Sequence, residues 1–310
     1  MRIMYMGTPA FAARVLEIIA EEFSDSVIMA VTKADTPKGR SYKLQPCETK
    51  LKAMEMGIDV VTPENLKEES FGQTLKDFDP DIIIVASYGK ILPEYVLNYP
   101  RYGAINVHGS LLPEYRGASP VNRAIMDGKK KTGVTIMYME KGLDTGDMLS
   151  KAEVDIPEGM TATELFGELA EIGGRLVCQT VRDIVSGKAK GEKQDDSLST
   201  YAEKLTSEDQ IIDWSKSAFE ITRKIHGLSE EPSAITRMAD GKLLKIYRAE
   251  TCDESFDAQN GQVVVAKKKI QVSCGEGSVL LKELQLEGGK KMSASDFLNG
   301  RKINLDDILQ

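Results

Sequence analysis

Histidine is almost missing from this chain: only His108 and His226 occur in 310 residues, which all but excludes a histidine-rich metal centre. Cysteine is scarce too. Cys47, Cys178, Cys252 and Cys274 are widely scattered, with no Cys-x-x-Cys pair. That spacing suits neither a zinc site nor a disulfide framework, so reduced thiols in a cytosol are expected. No stretch approaches the ~20 apolar residues of a membrane span. The N-terminus runs into the short apolar stretch Ile3–Met6 without a signal-peptide layout. The expectation is a soluble, cytoplasmic protein with no membrane partner. Positive charge is in deficit, 40 basic against 48 acidic side chains giving −8. Phosphate-rich partners favour basic surfaces, so tight sequence-independent nucleic-acid binding is disfavoured, although a local basic patch is not. What the chain does have is a globular balance, 41% hydrophobic and 28% charged, over a length that suits two ordinary domains.

The first half alternates strand and helix patterns. Met1–Met6 reads as a buried strand ending at Gly7, with Thr8 as N-cap and Pro9 at the first helical position. Phe11, Val15 and Ile18 line one face of the helix that follows. Further strands fall at Val27–Val31, Asp81–Ala86, Ala104–His108 and Val134–Met139, and Ser119 and Pro120 open a helix ending near Gly128. Such alternation implies right-handed βαβ units and a mainly parallel sheet. Residues 161–187 read as a helix with a Thr161/Glu164 capping box, helical spacing from Leu165 to Ile184, and Gly187 as its stop. Residues 188–206, rich in Lys, Gly, Asp and Ser, read as a linker. From Ser207 the texture changes to one helical stretch, Ser217–Ile225, and short strands at Leu243–Tyr247, Gln262–Val265, Ile270–Ser273 and Val279–Leu286. Gly-rich turns between them suggest a small β-barrel. The expected organisation is a first domain over 1–187, a linker over 188–206 and a second domain over 207–310.

Open parallel sheets bind ligands beyond the carboxyl ends of their strands. The first such end, Gly7-Thr8-Pro9, lacks Gly-x-Gly-x-x-Gly, and Lys33 stands near where a dinucleotide fold wants an acid; a dehydrogenase is disfavoured. The strand ending at His108 differs. Period-2 alternation places Asn106 and His108 on one face, where each unsatisfied polar group in a core would cost about 1–3 kcal/mol. A lone histidine would read as an ordinary packed side chain. Here Gly109, two prolines and Gly117 shape the loop that follows, which favours a site. A second loop, GLDTGD from Gly142 to Asp147, follows the Val134–Met139 strand, and its Asp144 could reach the neighbouring strand end, while Asp147 reads as solvated. A carboxylate beside an imidazole orients it and favours its protonated form, and an amide can donate to an oxyanion. The set suits attack on a carbonyl carbon. No Ser or Cys stands in a nucleophile-elbow context, which disfavours covalent catalysis.

These segments resemble the methionyl-tRNA formyltransferase family. The resemblance is carried by INVHGSLLPEYRGASP at Ile105–Pro120, GVTIMYMEKGLDTGDM at Gly133–Met148, MGTPAFA at Met6–Ala12 and ASYGKILP at Ala86–Pro93. TYAEKL at Thr200–Leu205, IDW at Ile212–Trp214 and GKKMSASDF at Gly289–Phe297 extend it over nearly the whole chain with order and spacing intact. The Asn-x-His plus Asp core is common to 10-formyltetrahydrofolate formyltransferases; the later segments narrow it to the tRNA enzyme. The resemblance implies an α/β fold, a Rossmann-like, mainly parallel sheet with helices on both faces, joined to a small OB-like C-terminal β-barrel that helps hold initiator tRNA. It implies formyl transfer from 10-formyltetrahydrofolate, a co-substrate, to the α-amine of methionyl-tRNA, without a metal. Asn106, His108 and Asp144 would be catalytic. Ser110, Leu111, Leu112 and Pro113 match the folate-binding segment, while Ala86, Tyr88, Gly89 and Ile91, with Lys141, Gly142 and Leu143, would wall the pterin pocket. Lys33–Leu44 matches a loop that inserts into the tRNA acceptor end, giving Arg40 and Lys43 as tRNA contacts, and Lys290 and Lys291 match a motif that meets tRNA phosphates.

Two departures stand out. Tyr42 occupies a position where another basic residue is expected, which leaves stacking in place of charge. GLSEEPSA at Gly227–Ala234 replaces an Asn-Pro-Trp-Pro-like stretch and brings two acids. Alternatives are a formyltransferase acting on an amino sugar nucleotide or a glycinamide ribotide, a hydrolase releasing formate, and a catalytically silent RNA-binding module. The −8 charge and the intact Asn-His-Asp set argue against the last. No long apolar seam is visible, so a monomer is expected.

Overall fold

The apolar run Arg2–Gly7 forms strand β1, and Val27–Val31 forms β2 beside it in parallel register. A computed structural model describes residues 1–38, 43–300 and 303–310, without the side chains of Lys38 and Lys43. Strands β3 (Asp59–Val61), β4 (Ile82–Ala86), β5 (Ala104–His108), β6 (Lys131–Tyr138) and β7 (Met148–Asp155) complete a seven-stranded sheet in the order β7-β6-β5-β4-β1-β2-β3. The run from β3 to β5 is parallel, while β6 and β7 extend it antiparallel. β4 is buried at every position, as a central strand covered on both faces must be.

Parity decides what each face carries. Met4, Met6, Ile83, Val85 and Ala104 share one apolar cluster with Phe71, Leu75 and Phe78 of α2 (Glu69–Phe78) and Val96 and Leu97 of the short helix Glu94–Leu97. On the other face, Tyr5 donates its hydroxyl to the carbonyl of Ala12 in helix α1 (Ala10–Glu22) at 2.6 Å. There the long helix Ala162–Val185 crosses β5 and β6 at Gly173, where an added Cβ would lie 2.9 Å from Val107 and 3.3 Å from Val134. Val107 therefore points to the long helix, and Asn106 and His108 point the opposite way with Ala104.

Thr8 does not cap α1. Pro9 is the N-cap, without a side-chain bond, and the Thr8 hydroxyl donates instead to the carbonyl of Tyr88 at 3.0 Å, tying the ends of β1 and β4 together. The Thr161/Glu164 capping box is present, with the Glu164 carboxylate accepting from the Thr161 amide at 2.8 Å. The stretch 188–206 is structured: Met148 and Glu192 exchange backbone hydrogen bonds, and Tyr201–Ala202 pairs in parallel with Arg116–Gly117.

The chain divides into two compact units. The first holds Met1–Pro120, Lys131–Asp155 and Phe166–Glu203; the second holds Val121–Lys130, Ile156–Leu165 and Lys204–Gln310. In the second, strands β8 (Ala234–Arg237), β9 (Leu243–Cys252), β10 (Val263–Lys267), β11 (Lys269–Ser273) and β12 (Ser278–Leu286) form an antiparallel sheet in the order β8-β9-β12-β11-β10. Its two outer strands are joined by the last residues. Leu309 donates to the carbonyl of Gly261 and Val263 to that of Asp307, both at 2.8 Å, while Arg237 and Gln310 exchange bonds at 2.6 and 2.9 Å. Those bonds cover one end of each outer strand. Trp214, Ile221, Ile225, Leu244, Ile246, Val272, Leu281 and Phe297 are among its core. Among the described residues no helix is long and apolar enough to cross a membrane.

Candidate active site

β5 ends on His108, 5% exposed, with the half-buried Asn106 two residues before it. Their backbone register is fixed on both sides: Asn106 lies opposite Val85 in β4 and Met137 in β6, and His108 opposite Thr135. Thr135 also shapes the loop that follows. Its hydroxyl donates to the carbonyl of Ser110 at 2.7 Å and accepts from the amide of Leu112 at 3.1 Å.

The loop then turns back so that Tyr115, Arg116 and Gly117 pass the strand end. The Tyr115 amide donates to the Thr200 hydroxyl at 2.8 Å, and the Arg116 amide to the Thr200 carbonyl at 2.9 Å. Tyr115 holds a φ of 59°, and its carbonyl oxygen lies 2.9 Å from His108 Nε2. A carbonyl can only accept, so Nε2 carries a proton and donates it there. That leaves Nδ1 as the nitrogen free for chemistry. Asp144 Oδ2 stands 3.7 Å from it, an ion-pair separation too long for a direct hydrogen bond.

Asp144 is held from two directions. Its Oδ2 accepts from the amide of Gly117 at 2.8 Å, and its backbone carbonyl accepts from Gln194 Nε2, also at 2.8 Å. The same Nε2 donates to the carbonyl of Gly146 at 2.8 Å. Asp144 adopts a φ of 52°, a left-handed conformation that costs a non-glycine residue about 1–2 kcal/mol. Gly146 has no alternative residue: an added Cβ would sit 1.9 Å from the carbonyl oxygen of Tyr138.

The remaining expected positions are placed as follows. Ser110 and Leu112 are buried, with the Ser110 hydroxyl donating to the Glu114 carbonyl at 2.6 Å, while Leu111 and Pro113 are half-buried. Ala86 and Tyr88 are buried; Tyr88 packs in the α2 cluster, and burial pushes its phenol up to about 12. Gly89, Lys141 and Gly142 are exposed, and Lys141 pairs with Glu94 at 3.1 Å. Ile91 is 94% and Leu143 61% exposed. Lys290 is exposed, whereas Lys291 is engaged by Glu230 at 2.5 Å and Glu283 at 3.0 Å. One acid of the divergent Gly227–Ala234 stretch thus holds a lysine expected to meet tRNA. The Lys33–Leu44 segment contributes an antiparallel pairing of Thr36 with Gln45 and Pro37 with Leu44. Arg40 and the Lys43 side chain lie outside the described residues. Among the described residues no three His, Cys, Asp or Glu side chains are placed to hold a metal ion.

Sequence reasoning missed Arg116, Gln194 and Thr200 as parts of the site. Thr200 and Tyr201 lie within the quoted TYAEKL segment, whose pairing with Arg116–Gly117 accounts for its place beside the loop. Gln194 left no local signal, standing in a polar stretch read as a linker.

Comparison with known proteins is consistent along the whole chain. A family model described as formyl transferase matches residues 1–181, and one described as formyl transferase, C-terminal domain, matches residues 204–302. The methionyl-tRNA formyltransferase of Clostridium novyi (strain NT) is 45% identical over 312 residues, covering 100% of both chains. That of Bacillus licheniformis is 42% identical, covering 96% of this chain and 95% of its own. Among solved structures, an N-formyltransferase from Helicobacter canadensis in complex with folinic acid and dTDP-3-aminofucose superposes with a TM-score of 0.67 at 18% identity, covering 94% of this chain and 100% of its own. HypX from Aquifex aeolicus, in complex with tetrahydrofolic acid, gives 0.67 at 16%, covering 99% of this chain and 50% of its own. At such identities these two establish the shared fold alone. With full-length identity above 40% and matches over both units, the chain belongs to the methionyl-tRNA formyltransferase family.

Proposed function

We propose that this protein transfers the formyl group of 10-formyltetrahydrofolate to the α-amine of methionyl-initiator tRNA, giving N-formylmethionyl-tRNA. The observation that carries the chemistry is the Asp144 carboxylate 3.7 Å from His108 Nδ1, with Nε2 already committed to the Tyr115 carbonyl.

The amine attacks the formyl carbon and forms a tetrahedral alkoxide. The C–N10 bond then breaks, and the amine proton must finally reach N10 of the departing tetrahydrofolate. Asn106 Nδ2 donates to the developing alkoxide, and His108, when it bears a proton on Nδ1, donates beside it. Asp144 is the base that takes the amine proton, directly or through one water. The gap of 3.7 Å between Nδ1 and Oδ2 leaves room for a reacting atom to engage both. The apolar side chains of Ile91 and Leu143, both exposed, supply surface for the pterin, with the Ser110–Pro113 turn beside the strand end.

For the tRNA, Arg40, Lys43 and Lys290 are the cations we assign to phosphate contact, and Lys291 contributes only if its pairs with Glu230 and Glu283 open. The test is formyl transfer from 10-formyltetrahydrofolate to charged initiator tRNA, with amino sugar nucleotides and glycinamide ribotide as competing acceptors. Transfer to the tRNA alone supports the proposal. Preferential transfer to a small amine, or release of formate, overturns it.

A further inference from the structure

Three consecutive residues, Tyr115-Arg116-Gly117, each hold a different part of the site. The Tyr115 carbonyl fixes His108 Nε2 at 2.9 Å, and the Gly117 amide fixes the Asp144 carboxylate at 2.8 Å. Between them, Arg116 turns its side chain inward; it is 2% exposed, a rare state for a guanidinium without partners. Its Nε donates to Gln194 Oε1 at 2.9 Å, and its terminal nitrogen pairs with Asp196 at 2.7 Å.

Both N–H groups of Gln194 are engaged. Its oxygen faces the guanidinium, and its nitrogen donates to the carbonyls of Asp144 and Gly146. The amide can take only this orientation. Reversed, its oxygen would face two carbonyl oxygens and its NH₂ group a cation, with no donor matched to an acceptor. The bonds close a ring from the Arg116 side chain through Gln194 to the Asp144 main chain, and from the Asp144 carboxylate back to the Gly117 amide. The ring bears on a residue held at φ 52°, a conformation that persists only where its surroundings impose it.

We propose that Gln194, oriented by Arg116, is a positioning residue for formyl transfer: it holds the Asp144 loop so that the carboxylate stays opposed to His108 Nδ1. The proposal rests on the catalytic reading of Asp144 given above. Gln194 touches no reacting atom, and its effect is exerted through the two carbonyls it holds.

Gln194→Glu tests it. The variant has the same length and keeps an acceptor for Arg116, but sets a carboxylate oxygen against the two loop carbonyls. Displacing a catalytic group by about 1 Å can cost on the order of 10²-fold in rate. The expected result is a kcat lowered by that order, with the KM for each substrate little changed. A residue acting only through Asp144 must also lose its effect when Asp144 has lost its own. Gln194→Glu in an Asp144→Asn background should then lower kcat by less than about 3-fold further, since coupled sites are not additive. Loss of the fold alone would lower activity by the same factor in both backgrounds, and that outcome overturns the proposal. Wild-type kcat in Gln194→Glu, with Asp144→Asn inactive, overturns it while leaving the catalytic reading intact. Wild-type kcat in Asp144→Asn overturns the catalytic reading itself. Should the charged variant not fold, Gln194→Met, which is uncharged and of similar length, carries the same comparison with the same outcomes.

Discussion

Replacing Gly117 by alanine perturbs the site at one backbone position and removes no side chain. Gly117 has a φ of 118°, far into the region that L-residues avoid, and an added Cβ would lie 2.7 Å from the carbonyl oxygen of Ala202. That oxygen belongs to the chain paired with Arg116–Gly117, so it cannot swing aside as a flexible side chain would. The unfavourable dihedral costs about 1–3 kcal/mol. Relieving the contact to an ordinary separation near 3.4 Å needs a shift of about 0.7 Å, the difference from 2.7 Å. A shift of that size away from Asp144 would stretch the 2.8 Å bond from the Gly117 amide to the limit of hydrogen-bond geometry. A bond to a charged acceptor contributes about 1.5–3 kcal/mol. The Gly117→Ala enzyme should therefore lose about 2.5–6 kcal/mol of stability in urea unfolding. Its single-turnover formyl transfer at a temperature where it is folded should fall by about 10²-fold. Wild-type turnover in a destabilised but folded Gly117→Ala enzyme would refute the claim that this amide positions the carboxylate. Unchanged stability would refute the steric reasoning itself.

Two further outcomes are expected. Asn106→Ala should lower kcat by about 10²–10³-fold with little change in donor KM, as loss of an oxyanion donor does; unchanged turnover in rapid-quench assays would remove Asn106 from the reaction. Burial holds the His226 imidazole below its ordinary 6.5. The folded protein thus keeps His226 neutral while the unfolded chain takes up a proton first. Its contribution to stability is whole above pH 6.5 and is lost as pH falls through the depressed folded value. Urea unfolding across that range should show a shallower acid-side loss in His226→Gln; an identical slope would contradict the assignment.

How legible a region is in sequence follows from where its determinants lie. β5 is readable to the residue because Ala104, Ile105 and Val107 fill two buried faces while Gly103 and Gly109 bound it. The Thr161/Glu164 capping box is equally local, with both partners three residues apart. β7 is a different case. It is an outer strand with only Met148 and Val154 buried, so it lacks the continuous apolar run that marks β4 and β5. Gln194 is less legible still, because its partners Arg116 and Asp144 are 78 and 50 positions away. Which amide of a polar stretch meets which carbonyl is decided by the assembled fold, and no local period records it. Thr8 failed as a cap for the same reason: a partner 80 residues off, the Tyr88 carbonyl, took its hydroxyl.

The direction of β6 explains why the site needs so much support from the loops. Had β6 run parallel to β5, its final residue would have come out beside His108 and a short turn would have sufficed. It runs antiparallel, with Tyr138 opposite Ile105 and Thr135 opposite His108. The chain leaving Tyr138 must therefore fold back along β5 to bring Asp144 to the imidazole. A return of that kind is unsupported by strand pairing, so each backbone group on it needs another partner. Gly146 admits the close approach to Tyr138, the Tyr138 amide takes the Asp147 carbonyl at 2.9 Å, and Gln194 takes the carbonyls of Asp144 and Gly146. The left-handed conformation of Asp144 lets its main chain face Gln194 while its carboxylate faces Gly117 and His108. Asp144 is thus tied to the fold chiefly through Gly117 and Gln194, and substitutions at those two positions should disturb the carboxylate well before they disturb the sheet.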